Sequence, residues 1–256
     1  MIHTADEAIK AMNRMADEKQ RQILMKFFKT GKGEYGEGDI FLGVKVPQVR
    51  SVAAECKDME RREISLLLQS ELHDARLCAL IILVINFEKL CNKRLKDNEE
   101  AIKERDGIVK FYIENAARAN NWELVDLSAP KILGQWLMLP SRFTKKEKIL
   151  LIDTLADSGN LWKQRISMVC TWGALQKGDP EYTLRYAERH LHHSHDLMHK
   201  AVGWMLREMG KRIDIELLRS FLKIHAVEMP RTMLRYAIEK MDKDERRQWL
   251  YMGKHR

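Results

Sequence analysis

The chain has 256 residues, 45% of them apolar and 32% charged, with only 5 Pro and 13 Gly. That composition supports a sizeable buried core in a helix-rich protein and excludes a disulfide-stapled miniprotein, a fibrous chain and a disordered one. Lys and Arg outnumber Asp and Glu by 45 to 37, and residues 161–256 carry +7 of the net charge of +8. The positive field therefore lies in the C-terminal part, as a polyanionic partner requires.

The first interruption is the run Thr30 to Asp39, where Gly31, Gly33, Gly36 and Gly38 sit among charges. It reads as a loop entering a helix at Pro47, whose fixed φ suits a first turn. Lys32 lies among these glycines, but the GxxxxGK[ST] spacing of a phosphate-cradling loop is absent. Cys56, Cys78, Cys91 and Cys170 form no CxxC pair and read as reduced, buried thiols. The longest apolar stretch, Leu77 to Phe87, contains Asn86 and falls short of the roughly 20 residues needed to cross a bilayer. With no basic segment and apolar run at the start, a cytoplasmic location without membrane contact is expected.

Further on, Trp122 and Asp126 are four positions apart, so a helix there puts an indole and a carboxylate on one face. Pro130 interrupts the following turn. Leu161-Trp162-Lys163-Gln164-Arg165 opens another helix, in which Arg165 suits either a phosphate or a neighbouring carboxylate. His190, His192, His193, His195 and His199 crowd what reads as a turn. His195 and His199 have the spacing of a helical metal pair, but no cysteine or HExxH pattern joins them, and no metal is expected. In a helix from Lys200 to Ile213, Lys200, Trp204, Arg207 and Lys211 form one stripe and Val202, Met205, Leu206 and Met209 another. The second stripe belongs in a core. The first, cations with an interleaved indole, suits nucleic acid or simply a solvated cationic face.

Arg165, Lys200 and Arg235 follow one another at intervals of 35, each leading into an apolar helix, and looser echoes occur at Asp74-Ala75-Arg76 and Val125-Asp126-Leu127. A period of that length with two helices per unit predicts an all-α, HEAT-like helical-repeat solenoid, an α-α superhelix with a concave basic face, in a single domain over 1–256.

Several stretches resemble the AlkD-type DNA alkylation-repair glycosylases, which are built from HEAT-like repeats: Phe41 to Pro47, Asn121 to Asp126, Trp162 to Arg165 and Ala201 to Glu208. The resemblance runs from about Lys26 to Met241, in the family's order. It implies that Trp122 and Trp204 face the lesion, that Asp126 is the catalytic carboxylate and that Arg165 is the arginine of the catalytic site. It places Lys45 and Arg207 at the DNA, and Lys163, Lys200, Lys211, Arg231 and Arg235 are read as further DNA contacts. The implied partner is double-stranded DNA bearing alkylated purines, bound by a monomer that needs no cofactor and does not fully flip the base. Thr171 and Gly173 depart from the polar or basic residues expected in the helix after Arg165.

The chemistry agrees with these roles. A purine alkylated at N3 or N7 is cationic and leaves without much general-acid help. Indole faces attract such a cation by roughly 0.5–2 kcal/mol each, and a carboxylate stabilises the oxocarbenium-like sugar and positions a water. The expected activity is a monofunctional DNA glycosylase. The competing expectation is a non-enzymatic HEAT-like module that binds damaged or branched nucleic acid, or a protein, without any need for Trp122, Asp126 and Arg165 together.

Overall fold

The computed structural model describes residues 1–252, and among these the only departure from helices and loops is a single parallel bridge between Ile40 and Leu72. The all-α, helical-repeat class predicted from the periodicity is what the chain adopts. By packing it divides into two compact units, Met1–Ser128 and Ala129–Arg256. None of the described helices is long and apolar enough to cross a membrane.

The first unit contains α1 (Ala5–Asn13), α2 (Glu18–Phe27), α3 (Val46–Glu55), α4 (Arg61–Gln69), α5 (His73–Lys89), α6 (Glu99–Glu114) and α7 (Trp122–Ser128). Helix α5 is its axis: every residue from His73 to Val84 is buried, the apolar run Leu77–Val84 because it is hydrophobic on all sides, and His73, Asp74 and Arg76 of the first turn because each is paired. α3, α4 and α7 pack around it. Pro47 is the second residue of α3, where its missing N–H costs no helical hydrogen bond.

The second unit opens with a π-helical turn at Pro130–Gly134, where Pro130 breaks the regular helix. It continues through α8 (Gln135–Leu137), α9 (Lys145–Ala156), α10 (Leu161–Val169), α11 (Trp172–Leu175), α12 (Glu181–Arg189), α13 (Asp196–Arg212), α14 (Ile215–His225), α15 (Arg231–Ala237) and α16 (Lys243–Met252). The repeat is plain here. Leu161, Asp196 and Arg231, the first residues of α10, α13 and α15, are spaced by 35. Arg165, Lys200 and Arg235 are each the fifth residue of their helix. α13 packs against both α10 and α15. The crossing with α15 is close because position 203 is Gly: a Cβ there would lie 2.4 Å from the Met233 carbonyl oxygen.

Thr171 and Gly173, the two departures from the expected pattern, are interior positions. Thr171 is fully buried, donates to the Met168 carbonyl at 2.8 Å and accepts from the Thr183 hydroxyl at 3.0 Å. Gly173 lies against Gly134 so tightly that a Cβ would fall 2.1 Å from the Gly134 carbonyl carbon. The identity of Gly173 therefore follows from packing of α11 on the π-helical turn, and that of Thr171 from its buried hydrogen bonds to Met168 and Thr183 of α12. Gly173→Ala is expected to lower stability by about 1–3 kcal/mol through overpacking, read as a shift in the urea midpoint. An unchanged midpoint would show that the two backbones separate freely.

The charge divides with the fold. Counted from the sequence, Ala129–Arg256 has 24 Lys and Arg against 15 Asp and Glu, a formal +9, whereas Met1–Ser128 has 21 against 22, a formal −1.

Candidate functional site

Helix α7 turns Leu124, Val125 and Ser128 inward and leaves Trp122, Glu123 and Asp126 partly exposed. The indole and the carboxylate thus occupy the non-buried face, one turn apart, as the spacing predicts. The ring of Trp122 is fixed from several sides. Its Nε1–H donates to the Tyr35 hydroxyl at 3.1 Å. Phe28 packs against it at a centroid distance of 5.1 Å, and Phe27, itself exposed, meets it edge-on at 5.8 Å. Behind these rings Phe28, Phe41 and His73 stack on one another at 4.3–5.4 Å. A fixed aromatic face needs this kind of lateral support, since a half-exposed indole otherwise samples several rotamers.

The Gly-rich loop that supplies Tyr35 is tied to α7 a second time, through His73. This imidazole is 1% exposed. Its Nδ1 is 2.8 Å from Asp39 and its Nε2 is 3.0 Å from Glu123. Asp39 also pairs with Arg76, and Arg76 donates to the carbonyls of Ser70 and Glu71, both at 2.9 Å. Burial pulls the His73 pKa down, but the hydrogen bonds to Asp39 and Glu123 outweigh it and hold the pKa above its ordinary value. Burial likewise pushes Asp39 up, and its contacts with His73 and Arg76 win, leaving it below the usual carboxylate value. Asp74 behaves differently. Burial keeps its pKa raised, although it accepts the backbone N–H groups of Leu42 at 2.7 Å and Val44 at 3.2 Å. A cavity of about 200 Å³ lies beside this cluster, lined by Phe41, His73, Asp74 and Glu123 with exposed Lys45 at its edge.

In the second unit Arg165 is 5% exposed and donates to the Leu197 carbonyl at 2.5 Å. Lys163 is half-buried on the same helix. On α13, Lys200, Trp204 and Arg207 are half-buried and Lys211 is exposed, whereas Val202, Met205, Leu206 and Met209 are buried. Lys200 pairs with Asp196 at 2.8 Å. Arg207 pairs with Glu239 and lies 3.6 Å from Glu208. Trp204 meets Trp172 at 5.9 Å with the planes 42° apart. Arg231 donates to the Leu250 carbonyl at 2.8 Å, and Arg235 is exposed.

The histidines between α12 and α13 have local tasks. His190 is buried against the Ser167 hydroxyl at 2.9 Å, and burial lowers its pKa to about 4. His195 is the cap of α13: it precedes the first turn and accepts the Leu197 N–H at 3.1 Å. His195 thus serves as a cap, and the His199 ring lies against the His193 carbonyl. Among the described residues no three His, Cys, Asp or Glu side chains gather as metal ligands.

Tyr35, Asp39, His73 and Glu123 are the participants that spacing did not reveal. The available signal was weak: Tyr35 is the one aromatic residue of the Gly-rich loop, and His73 stands directly before Asp74-Ala75-Arg76.

The family model described as DNA alkylation repair enzyme matches residues 8–241. Among solved structures, one described as a predicted DNA alkylation repair enzyme from Enterococcus faecalis aligns with 90% of this chain and 98% of its own, at 13% identity and a TM-score of 0.60. A protein from Streptococcus mutans UA159 aligns over 98% of both chains at 16% identity and a TM-score of 0.47. No curated protein matches the sequence. The Enterococcus structure shares the helical-repeat fold.

Proposed function

We propose, from the premise that this chain belongs to the DNA alkylation repair enzyme family, that it hydrolyses the N-glycosidic bond of cationic N7- and N3-alkylpurines in duplex DNA and leaves an abasic site. The observation that carries this reading is the half-exposed face of α7, where a laterally fixed indole and a carboxylate stand one turn apart. An indole face attracts an alkylpurinium and the sugar cation that forms as the base departs. The Asp126 carboxylate opposes that developing charge and orients the attacking water.

Arg165 is assigned a positive charge toward the phosphate beside the lesion. Trp204 is assigned a second aromatic contact with the damaged strand. The duplex is held through Lys45, Lys163, Lys200, Arg207, Lys211, Arg231 and Arg235, with the +9 of the second unit in support.

The test is to incubate the protein with a duplex oligonucleotide carrying one N7-methylguanine and to follow the freed base. Release supports the glycosylase. Tight, salt-dependent binding without release supports the non-enzymatic nucleic-acid module, and loss of salt dependence points to a protein partner.

If the α13 stripe contacts phosphates, log affinity falls linearly with log salt. Lys200→Ala and Lys211→Ala should each flatten that slope by about 1 while weakening all duplex sequences alike. An unaltered slope in both variants would remove the stripe from the DNA interface.

A further inference from the structure

Trp172, which neither the repeat pattern nor the resemblance singles out, sits at the end of a chain of contacts that leads to Trp204. Its ring centroid is 5.9 Å from that of Trp204. The Arg212 guanidinium lies over the Trp172 ring, its central carbon 4.2 Å from the centroid. Arg212 is in turn held by Glu208 at 3.0 Å, one helical turn back on α13. Glu208 is itself buried and lies 3.6 Å from Arg207, which pairs with Glu239. One carboxylate therefore serves two arginines, and one of these covers the indole that backs Trp204.

Geometry decides what Trp172 can do. A nucleobase held between two rings needs roughly twice the 3.4 Å stacking step of DNA between them. The two indoles are closer than that, and tilted by 42°. They leave no slot for a base and instead support each other, as tilted aromatic pairs do. A guanidinium over an indole adds a cation–π attraction that fixes the ring further. Trp172 also stands on α11, next to the tight contact of Gly173 with Gly134, so its backbone has little room to move.

We propose that Trp172, clamped by Arg212 and Glu208, is a positioning residue that fixes the indole of Trp204 in the orientation in which it meets damaged DNA. This rests on the reading of Trp204 given above. Trp172 makes no contact of its own with the base; it removes the rotational freedom that Trp204 would otherwise lose on binding.

A double-mutant cycle tests the assignment with N7-methylguanine duplex, read as duplex affinity and as the single-turnover rate of base release. The proteins are wild type, Trp172→Leu, Trp172→Phe, Arg212→Gln, Trp204→Ala and the double variant Trp172→Leu/Trp204→Ala, each with its thermal midpoint recorded. Trp172→Leu is expected to weaken function about tenfold, the size of an ordinary coupling between touching residues. Trp172→Phe should restore most of it, and Arg212→Gln should show a smaller loss of the same kind. In the Trp204→Ala background Trp172→Leu should have no further effect, because nothing remains to be positioned. Additive losses with unchanged midpoints would overturn the inference and make Trp172 a direct contact. Losses that track the midpoint and are not recovered by Phe would overturn it in favour of a packing role. An inert Trp204→Ala would instead overturn the assignment of Trp204, and this inference with it.

Discussion

Asp126→Asn is expected to slow release of N7-methylguanine by about 10²–10³-fold, the usual effect of removing one preorganised electrostatic group aimed at developing charge. The variant should leave duplex affinity unchanged. Asn keeps the size and shape of Asp, and position 126 lies on the partly exposed face of α7, so the fold tolerates the exchange. What disappears is the negative charge opposite the sugar. The indoles cannot compensate, since each supplies only roughly 0.5–2 kcal/mol, part of it already made with the cationic base before the bond breaks. Only a group that acts more strongly as the bond breaks raises the rate. A rate equal to wild type in single-turnover assays would remove Asp126 from the mechanism, and a parallel loss of duplex affinity would make it a binding residue.

The second large effect concerns stability. Asp39→Ala leaves the guanidinium of Arg76 and the imidazole of His73 buried without their shared carboxylate. Breaking a buried pair in this way costs about 3–5 kcal/mol, measurable by urea unfolding at neutral pH. The cluster also sets a pH window. Asp39 has its pKa lowered by folding, so its contribution is present above its ordinary value of 3.8 and is lost as pH falls through the lower folded value. His73 has its pKa raised, so its contribution is complete below its ordinary value of 6.5 and is lost as pH climbs through the raised folded value. Wild-type stability from this cluster is therefore greatest between the two, and Asp39→Ala should flatten both flanks of that profile. A variant with the wild-type midpoint and pH profile would show that the cluster contributes nothing net. Because Asp39 ends the Gly-rich loop that carries Tyr35, the same substitution should also loosen the hold on Trp122.

How much of this was legible in the sequence depends on the range of each interaction. The 35-residue interval became the first residues of α10, α13 and α15, because a repeat writes the same packing demand at the same spacing. The two stripes of α13 appear as a partly exposed and a buried face for the same local reason, although the helix begins four residues before Lys200. The Trp122 and Asp126 pair was visible as a helical i, i+4 pattern. Its surroundings were not. Tyr35 reaches Trp122 across 87 positions and His73 reaches Glu123 across 50, and contacts of that range leave no periodic trace. The histidine run reads as a turn, and all of it but His199 lies between α12 and α13. His195 and His199 have helical spacing, but His195 serves as a cap and stands outside the helix. Thr171 and Gly173 look like lost surface contacts only until burial is known.

The hydrogen bond from the Trp122 indole to Tyr35 has a further consequence. Trp122 has one polar hydrogen, and it is already committed within the protein. The ring can then meet a ligand only by its face, which responds to positive charge and has no means of reading the pattern of donors and acceptors along a base edge. If Trp122 faces the lesion as proposed, it sorts nucleobases by electron deficiency and is indifferent to the hydrogen-bonding pattern of their edges. On the proposed reading, guanine and adenine become equivalent to such a ring once an alkyl group has made either one a cation, and a neutral base is held by stacking alone.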